Sequence, residues 1–282
     1  MAISALASAC APELYKRDGV HPAHIVKRQH IPNVVEDTRG WTFDQSEEWN
    51  TQNPAWGACF SGTQQSPIAF KTRDGLARSK PPTFSYPDAL VGTMNNWDFG
   101  PQFAIPTADD NTTAAHIVFE QDGQKETAYF RSWHTHAPAE HSVDGRRPKG
   151  ELHYVHYDAE GNPRAVVGFL LDLALDEDDY ETPTGSAFYQ QFEKMDLPTI
   201  FENRTMSDIT LNLNLALKES NNYKNFWTYK GSLTTPPCTE GLRWFVSKDV
   251  IYLSSAQMAG LLGVSTFSAR PTHDLWNHQL NA

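Results

Sequence analysis

The sequence predicts a sheet-dominated α+β fold in a single domain. Three observations carry this reading. Short β-favouring runs recur between turn residues from about Trp41 onward, only two segments read as helices, and no repeat or low-complexity linker divides the chain. With 282 residues, 39% hydrophobic and 12% aromatic, the chain can bury a sizeable core without a second domain. Residues 1–38 show no sustained periodicity and read as an N-terminal extension, leaving 39–282 as the folded domain.

The strands expected, in order, are Ala114 to Glu120, Glu126 to Trp133, Leu152 to Tyr157, Arg164 to Leu173, Asp208 to Leu213, Asn225 to Tyr229 and Leu242 to Val246. Each is rich in residues that suit a pleated, half-buried surface and is bounded by turn formers. The helices expected are Thr184 to Met195 and Ser254 to Leu262, the second with Ser255 as N-cap before Ala256-Gln257-Met258. Lys plus Arg number 23 against 34 Asp plus Glu, a net charge of −11, which argues against nucleic acid as a partner. The run Asp176-Glu177-Asp178-Asp179 reads as an exposed loop. No apolar stretch approaches the roughly 20 residues that span a bilayer, so no membrane span is expected.

The chemistry concentrates in Trp133-His134-Thr135-His136 and, beyond a turn, Glu151-Leu152-His153. Successive strand residues point to opposite faces, so His134 and His136 share one face and Thr135 turns away. Between them and the next strand stand Pro138, Asp144-Gly145, Pro148 and Gly150. That turn chemistry returns an antiparallel strand and brings His153 opposite the pair. Zinc held by three neutral imidazoles keeps a fourth tetrahedral position for water, the catalytic arrangement rather than the structural one. Glu151 shares the face of His153 and is placed to accept its other ring N–H, while His156 faces away. A half-polar surface strand is also rich in His and Tyr; three imidazoles at this spacing, with a carboxylate, favour a metal. The histidines near the termini, His21, His24, His30, His273 and His278, read as solvated.

Several signs point to secretion. Asn111-Thr112-Thr113 and Asn203-Arg204-Thr205 are glycosylation sequons. Ala2 to Ala11 is a small-apolar run that lacks a basic n-region and is too short for a complete signal peptide. It reads as a leader remnant or tail, with Lys16-Arg17 and Lys27-Arg28 as dibasic processing sites. Three cysteines are an odd number; removal of Cys10 leaves Cys59 and Cys238, either as buried thiols or as a disulfide.

The chain resembles the α-class carbonic anhydrases. The matching pieces are Gln65-Ser66-Pro67-Ile68, Ser132 to His136, Ala139-Glu140-His141-Ser142-Val143-Asp144, Glu151 to His156, and Tyr229-Lys230-Gly231-Ser232-Leu233-Thr234-Thr235-Pro236-Pro237-Cys238. They run in family order from about Trp41 to Asn277.

The resemblance implies a twisted, largely antiparallel central sheet with a few peripheral short helices and zinc at the floor of a conical cavity. It implies reversible hydration of carbon dioxide to bicarbonate and a proton, by attack of zinc hydroxide on carbon dioxide in an apolar pocket. His134, His136 and His153 match the zinc ligands, and Glu151 the carboxylate behind His153. A three-histidine zinc lowers the pKa of its water to about 7, a figure that comes from carbonic anhydrases themselves. Thr234 matches the threonine that accepts from the nucleophile and donates to Glu140, orienting the attack. Val155, Val166, Leu233, Thr235 and Trp244 match the substrate pocket, and Cys59 and Cys238 the disulfide of secreted members. Carbon dioxide and bicarbonate are the expected small-molecule partners, with sulfonamide-type and anion inhibitors; a homodimer is left open.

Two departures concern proton export. Asn95-Asn96-Trp97-Asp98 stands where fast members carry a proton-shuttling histidine, leaving Asp98, His116 or buffer for that task, and Phe43 replaces a usual tyrosine. Two rivals remain. A cupin would use Glu140 as a ligand in place of His153, on a jelly-roll barrel, though no second cupin motif is visible. A non-catalytic binding module of the same family is the other, against which stands the retention of all three histidines.

Overall fold

The computed structural model describes residues 40–174, 185–200 and 202–282. The N-terminal extension with Cys10, the dibasic pairs and three of the terminal histidines, the acidic run at 176–179 and the first residue of the helix expected from Thr184 lie outside the described residues. The strands are β1 (Ala69–Phe70), β2 (Thr83–Ser85), β3 (Leu90–Asn96), β4 (Pro101–Ala104), β5 (His116–Gln121), β6 (Gln124–His136) and β7 (Ser142–Val143). They continue as β8 (Gly150–Tyr157), β9 (Pro163–Leu173), β10 (Met206–Leu211), β11 (Phe226–Ser232), β12 (Glu240–Ser247) and β13 (Ile251–Leu253). The α-helices are α1 (Trp49–Gln52), α2 (Ala58–Ser61), α3 (Ala187–Gln190), α4 (Asn214–Glu219) and α5 (Ser255–Gly263).

Eleven of these strands form one mixed sheet in the order β10-β3-β4-β6-β8-β9-β12-β11, with β5 on β6, β2 on β5 and β13 on β9. Its pairings are antiparallel except for β12 and β13 against β9, which are parallel. The long strand β6 is the spine: β5 and β4 share one edge, β8 takes the other. All seven strands expected from sequence occur, with ends shifted by a few residues.

Side-chain alternation divides the core. Phe130, Trp133, Leu152, Tyr154, Val167 and Phe169 pack on one face with Phe188, Phe192, Met258 and Leu261. Burying each such side chain contributes about 1.5–3 kcal/mol. Val166, Leu170, Trp227, Tyr229, Leu242, Trp244 and Val246 form a second cluster on the other face, and Phe43, Trp49, Trp97 and Phe99 a third. Gly168 in β9 keeps space in that second layer, since a Cβ there would lie 3.1 Å from Glu151 Oε1 and 3.4 Å from Val246 Cγ2.

Three expectations are corrected. The cap of α5 is Ser254, not Ser255: Ser254 Oγ accepts from Gln257 N–H and the Gln257 side chain accepts from Ser254 N–H, a reciprocal pair that only the earlier serine can form. The helix expected through Met195 is the single turn α3, capped by Ser186. After it the chain continues in short-range turns, and the Gln191 side chain donates back to the Phe188 carbonyl at 3.1 Å. His278 is buried rather than solvated, because the C-terminal segment is tied down: its Nε2 lies 2.9 Å from Gln65 O, and its Nδ1 accepts from Trp276 N–H at 3.0 Å.

Candidate active site

The register of β6 on β8 builds the site. His134 pairs with His153 and His136 with Glu151, so all four side chains project from the same face of the sheet. The His134 and His136 Nε2 atoms are 3.0 Å apart, and one ring nitrogen from each of His134, His136 and His153 lies within 4.8 Å of the others. His136 and His153 are fully buried, while His134 is half-buried and marks the open side.

The outer ring nitrogens fix the tautomers. His136 Nδ1–H donates to Ser268 O at 2.5 Å, and His153 Nε2 lies 2.9 Å from Glu151 Oε1. Nε2 of His136 is thereby left as a lone pair, and the close Glu151 carboxylate favours the same role for Nδ1 of His153. Burial holds His134 and His136 well below the ordinary imidazole value, and mutual repulsion among the three rings adds to it; His153 is lowered by burial too. Three neutral, inward-facing imidazoles form a donor set that tetrahedral zinc accepts.

Glu151 serves more than His153. Its Oε2 accepts from the N–H groups of Glu140 and His141, each at 2.9 Å, and its Oε1 accepts from His141 Nδ1–H at 2.6 Å. Burial alone would raise its pKa, but His141 and His153 outweigh that and hold the carboxyl well below its usual range. From His141 Nε2 the contacts run to the Tyr229 hydroxyl at 2.7 Å, then to Ser66 Oγ at 2.9 Å, which accepts from Ser232 N–H at 3.0 Å. A buried polar chain thus joins the histidine strand to the loop carrying Thr234.

Glu140 is fully buried. Its Oε1 accepts from Arg270 N–H at 3.1 Å; its Oε2 lies 3.4 Å from His136 Nε2 and has no hydrogen-bond partner among the described residues. Burial raises its pKa well above the carboxylate range, opposed by the Thr234 hydroxyl and the Arg270 N–H. Val155, Val166 and Trp244 lie in one cross-strand row, Leu233 packs against their cluster, and Thr235 is half-buried beside Thr234. The Trp244 ring centroid is 4.9 Å from that of His153, and Trp97 and Phe43 stand against His134 and His136.

Cys59 and Cys238 are joined as a disulfide, with Cα atoms 5.0 Å apart. Asn203 is exposed, whereas the Asn111 amide is occupied as a donor to Ala159 O at 3.2 Å. His116 pairs with Tyr129 on β6, five residues from His134, which at strand spacing is about 17 Å. Sequence reasoning did not assign roles to His141 and Arg270. His141 stands beside Glu140 in a motif already singled out, and that adjacency was the available signal; Arg270 reaches Gln65, Ser66 and Cys59 from more than 200 residues away and leaves none.

Two buried imidazoles and one half-buried one converge on a single face of a large mixed sheet, a group that could hold a metal ion, and comparison with known proteins places the chain further. The family model of the eukaryotic-type carbonic anhydrases matches residues 44–278. A carbonic anhydrase of Klebsiella pneumoniae is 30% identical over 226 residues, covering 78% of this chain and 80% of the relative. Carbonic anhydrase 6 of Mus musculus is 31% identical over 232 residues, covering 75% and 67%. The structure of a fungal α-carbonic anhydrase from Aspergillus oryzae shares the fold, with a TM-score of 0.68 at 24% identity, covering 83% of this chain and 92% of that one. The chain belongs to the eukaryotic-type, or α, carbonic anhydrases, a family of lyases. The open sheet also disposes of the jelly-roll alternative.

Proposed function

We propose that this protein catalyses the zinc-dependent, reversible hydration of carbon dioxide to bicarbonate and a proton. The observation that carries the proposal is the inward convergence of three neutral imidazoles, two of which, His136 and His153, have their other nitrogens against Ser268 O and Glu151. His134, His136 and His153 would hold the zinc, which when bound acts as a Lewis acid and supplies a water acidic enough to give a nucleophile at neutral pH.

The chain's own groups do the rest. Glu151 and Ser268 O keep His153 and His136 in the binding tautomer. Glu140, raised by burial, would be favoured as its carboxylate beside a cation held at the imidazoles. The carboxylate then accepts from the Thr234 hydroxyl, leaving the threonine oxygen as an acceptor that aims the attacking group at the carbon of carbon dioxide. Val155, Val166, Leu233 and Trp244, with Thr235, present a surface suited to a small apolar substrate and poor at retaining water. Anions and sulfonamides are expected to compete at the same place. The catalytic domain is residues 39–282. The disulfide fits an oxidising compartment, and with the exposed sequon at Asn203 it supports secretion; no described helix is long and apolar enough to cross a membrane.

Stopped-flow carbon dioxide hydration, with and without zinc removal, tests the proposal. Turnover that vanishes on chelation and returns with one zinc per chain is expected. A folded, zinc-loaded protein without turnover would be a binding module instead.

A further inference from the structure

Trp97 lies where the sequence offers no shuttle histidine, and its indole packs against the candidate ligands themselves. Its ring centroid is 4.9 Å from that of His134 and 5.2 Å from that of His136, both edge-on. Trp97 is itself buried, at 9% exposure, and so meets both the half-buried His134 and the fully buried His136. The ring is fixed in place. Its Nε1–H donates to Thr135 O at 3.2 Å, its backbone N–H donates to Gly100 O at 3.0 Å, and Asn96 Nδ2 donates to Pro198 O and Val264 O at 3.0 and 2.7 Å. Phe99 and Phe43 back it, with ring centroids 4.9 and 6.1 Å from that of Trp97, and Phe43 itself lies 5.8 Å from His136. Across the imidazoles, Trp244 closes on His153 at 4.9 Å.

We infer that Trp97 is a specificity-determining residue: its pinned indole, backed by Phe43 and Phe99, narrows the space over the imidazoles to small ligands and obstructs fused-ring ones. The inference rests on the metal-site reading above. A side chain held by a hydrogen bond inside a close-packed aromatic cluster moves only at the cost of strained rotamers and lost contacts. A linear triatomic molecule demands no such movement; a naphthalene tail does.

Two probes on metal-loaded protein separate width from metal affinity: thiocyanate, read from the visible spectrum of the cobalt-substituted protein, and dansylamide, read from its fluorescence on the zinc protein. Trp97→Ala is expected to bind dansylamide about tenfold more tightly, a gain of about 1.4 kcal/mol, with thiocyanate changed less than about threefold. Trp97→Phe keeps an aromatic ring in the cluster and should fall between, so the ratio is readable even if the alanine variant does not fold. Equal changes for both probes, or a weaker dansylamide complex, would overturn the size filter while leaving the metal site intact. A cobalt spectrum of the wild type that ignores thiocyanate would remove the metal-site reading, and the filter with it.

Discussion

His153 and Glu151 meet at 2.9 Å through Nε2 and Oε1, and the same carboxylate oxygen takes His141 Nδ1–H at 2.6 Å. One buried carboxylate therefore orients an imidazole of the site and anchors the loop that carries Glu140, whose N–H it also accepts. His136 is oriented by a backbone carbonyl that substitution cannot remove, so Glu151 is the accessible handle on ligand geometry.

Glu151→Gln is therefore expected to lower zinc affinity about 10- to 100-fold, as measured by competition with a chelator. The amide can donate where the carboxylate only accepted, which misplaces the His153 proton and leaves His141 with a weaker partner. Zinc affinity equal to that of the wild type would show that packing alone sets the ring orientation.

Thr234→Ala should reduce kcat/KM for hydration on the order of 10²-fold while zinc content stays near one per chain, because it removes aim rather than the metal. Thr234→Ser, which keeps the hydroxyl, should recover much of the loss. Loss of zinc in the alanine variant would instead mark Thr234 as part of the structural frame.

The strand parity of β6 and β8 was legible because one face of each strand carries the chemistry while the other packs into the core. That alternation placed His134, His136, His153 and Glu151 together and turned His156 away. What stayed hidden was long-range or set by loops. Arg270 N–H reaches Glu140 across 130 residues, and His141 is aimed by a turn whose register no periodicity encodes. The caps failed locally: Ser254 and Ser255 are both good N-cap residues, and only the partner three positions on selects Ser254. The burial of His278 depends on contacts with Gln65 that sequence proximity to the C-terminus cannot suggest.

Turnover should depend on external buffer. No histidine stands in Asn95-Asn96-Trp97-Asp98, where the family resemblance would place a shuttle, and His116 sits about 17 Å along β6 from His134, beyond direct transfer. Stopped-flow rates should rise with the concentration of an imidazole-type buffer and level off only when proton export ceases to limit. High turnover without buffer dependence would require an internal relay, with Asp98 as the first residue to substitute.

Reducing the Cys59–Cys238 bridge should destabilise the fold substantially. The bond closes a loop spanning 179 residues, and loop entropy alone gives a loss of about 5 kcal/mol, an upper figure because reduced chains retain structure. The effect should reach the site, since Cys238 N–H donates to Thr235 O and Gln65 Nε2 donates to Cys238 O beside the Thr234 loop. Urea unfolding of Cys59→Ser should show the lowered midpoint, and an unchanged midpoint would mean that the packing around Arg270 holds this corner by itself.

His156 should make the fold acid-sensitive. It is buried on the core face of β8 with Nε2 2.8 Å from the Tyr86 hydroxyl, and burial lowers its pKa to about 3. In the unfolded chain an imidazole titrates near about 6.5. Between those values the unfolded chain binds a proton that the folded one refuses. Stability is therefore whole above the higher value and falls by up to about 1.4 kcal/mol per pH unit as pH drops toward the lower. His156→Gln keeps an acceptor for Tyr86 but cannot take up that proton. The variant should be less stable at pH 7.5, yet lose stability less steeply than the wild type between pH 6.5 and 4.5, with both in the same metal state. Parallel urea-unfolding curves across that window would show that His156 does not stay neutral in the folded protein.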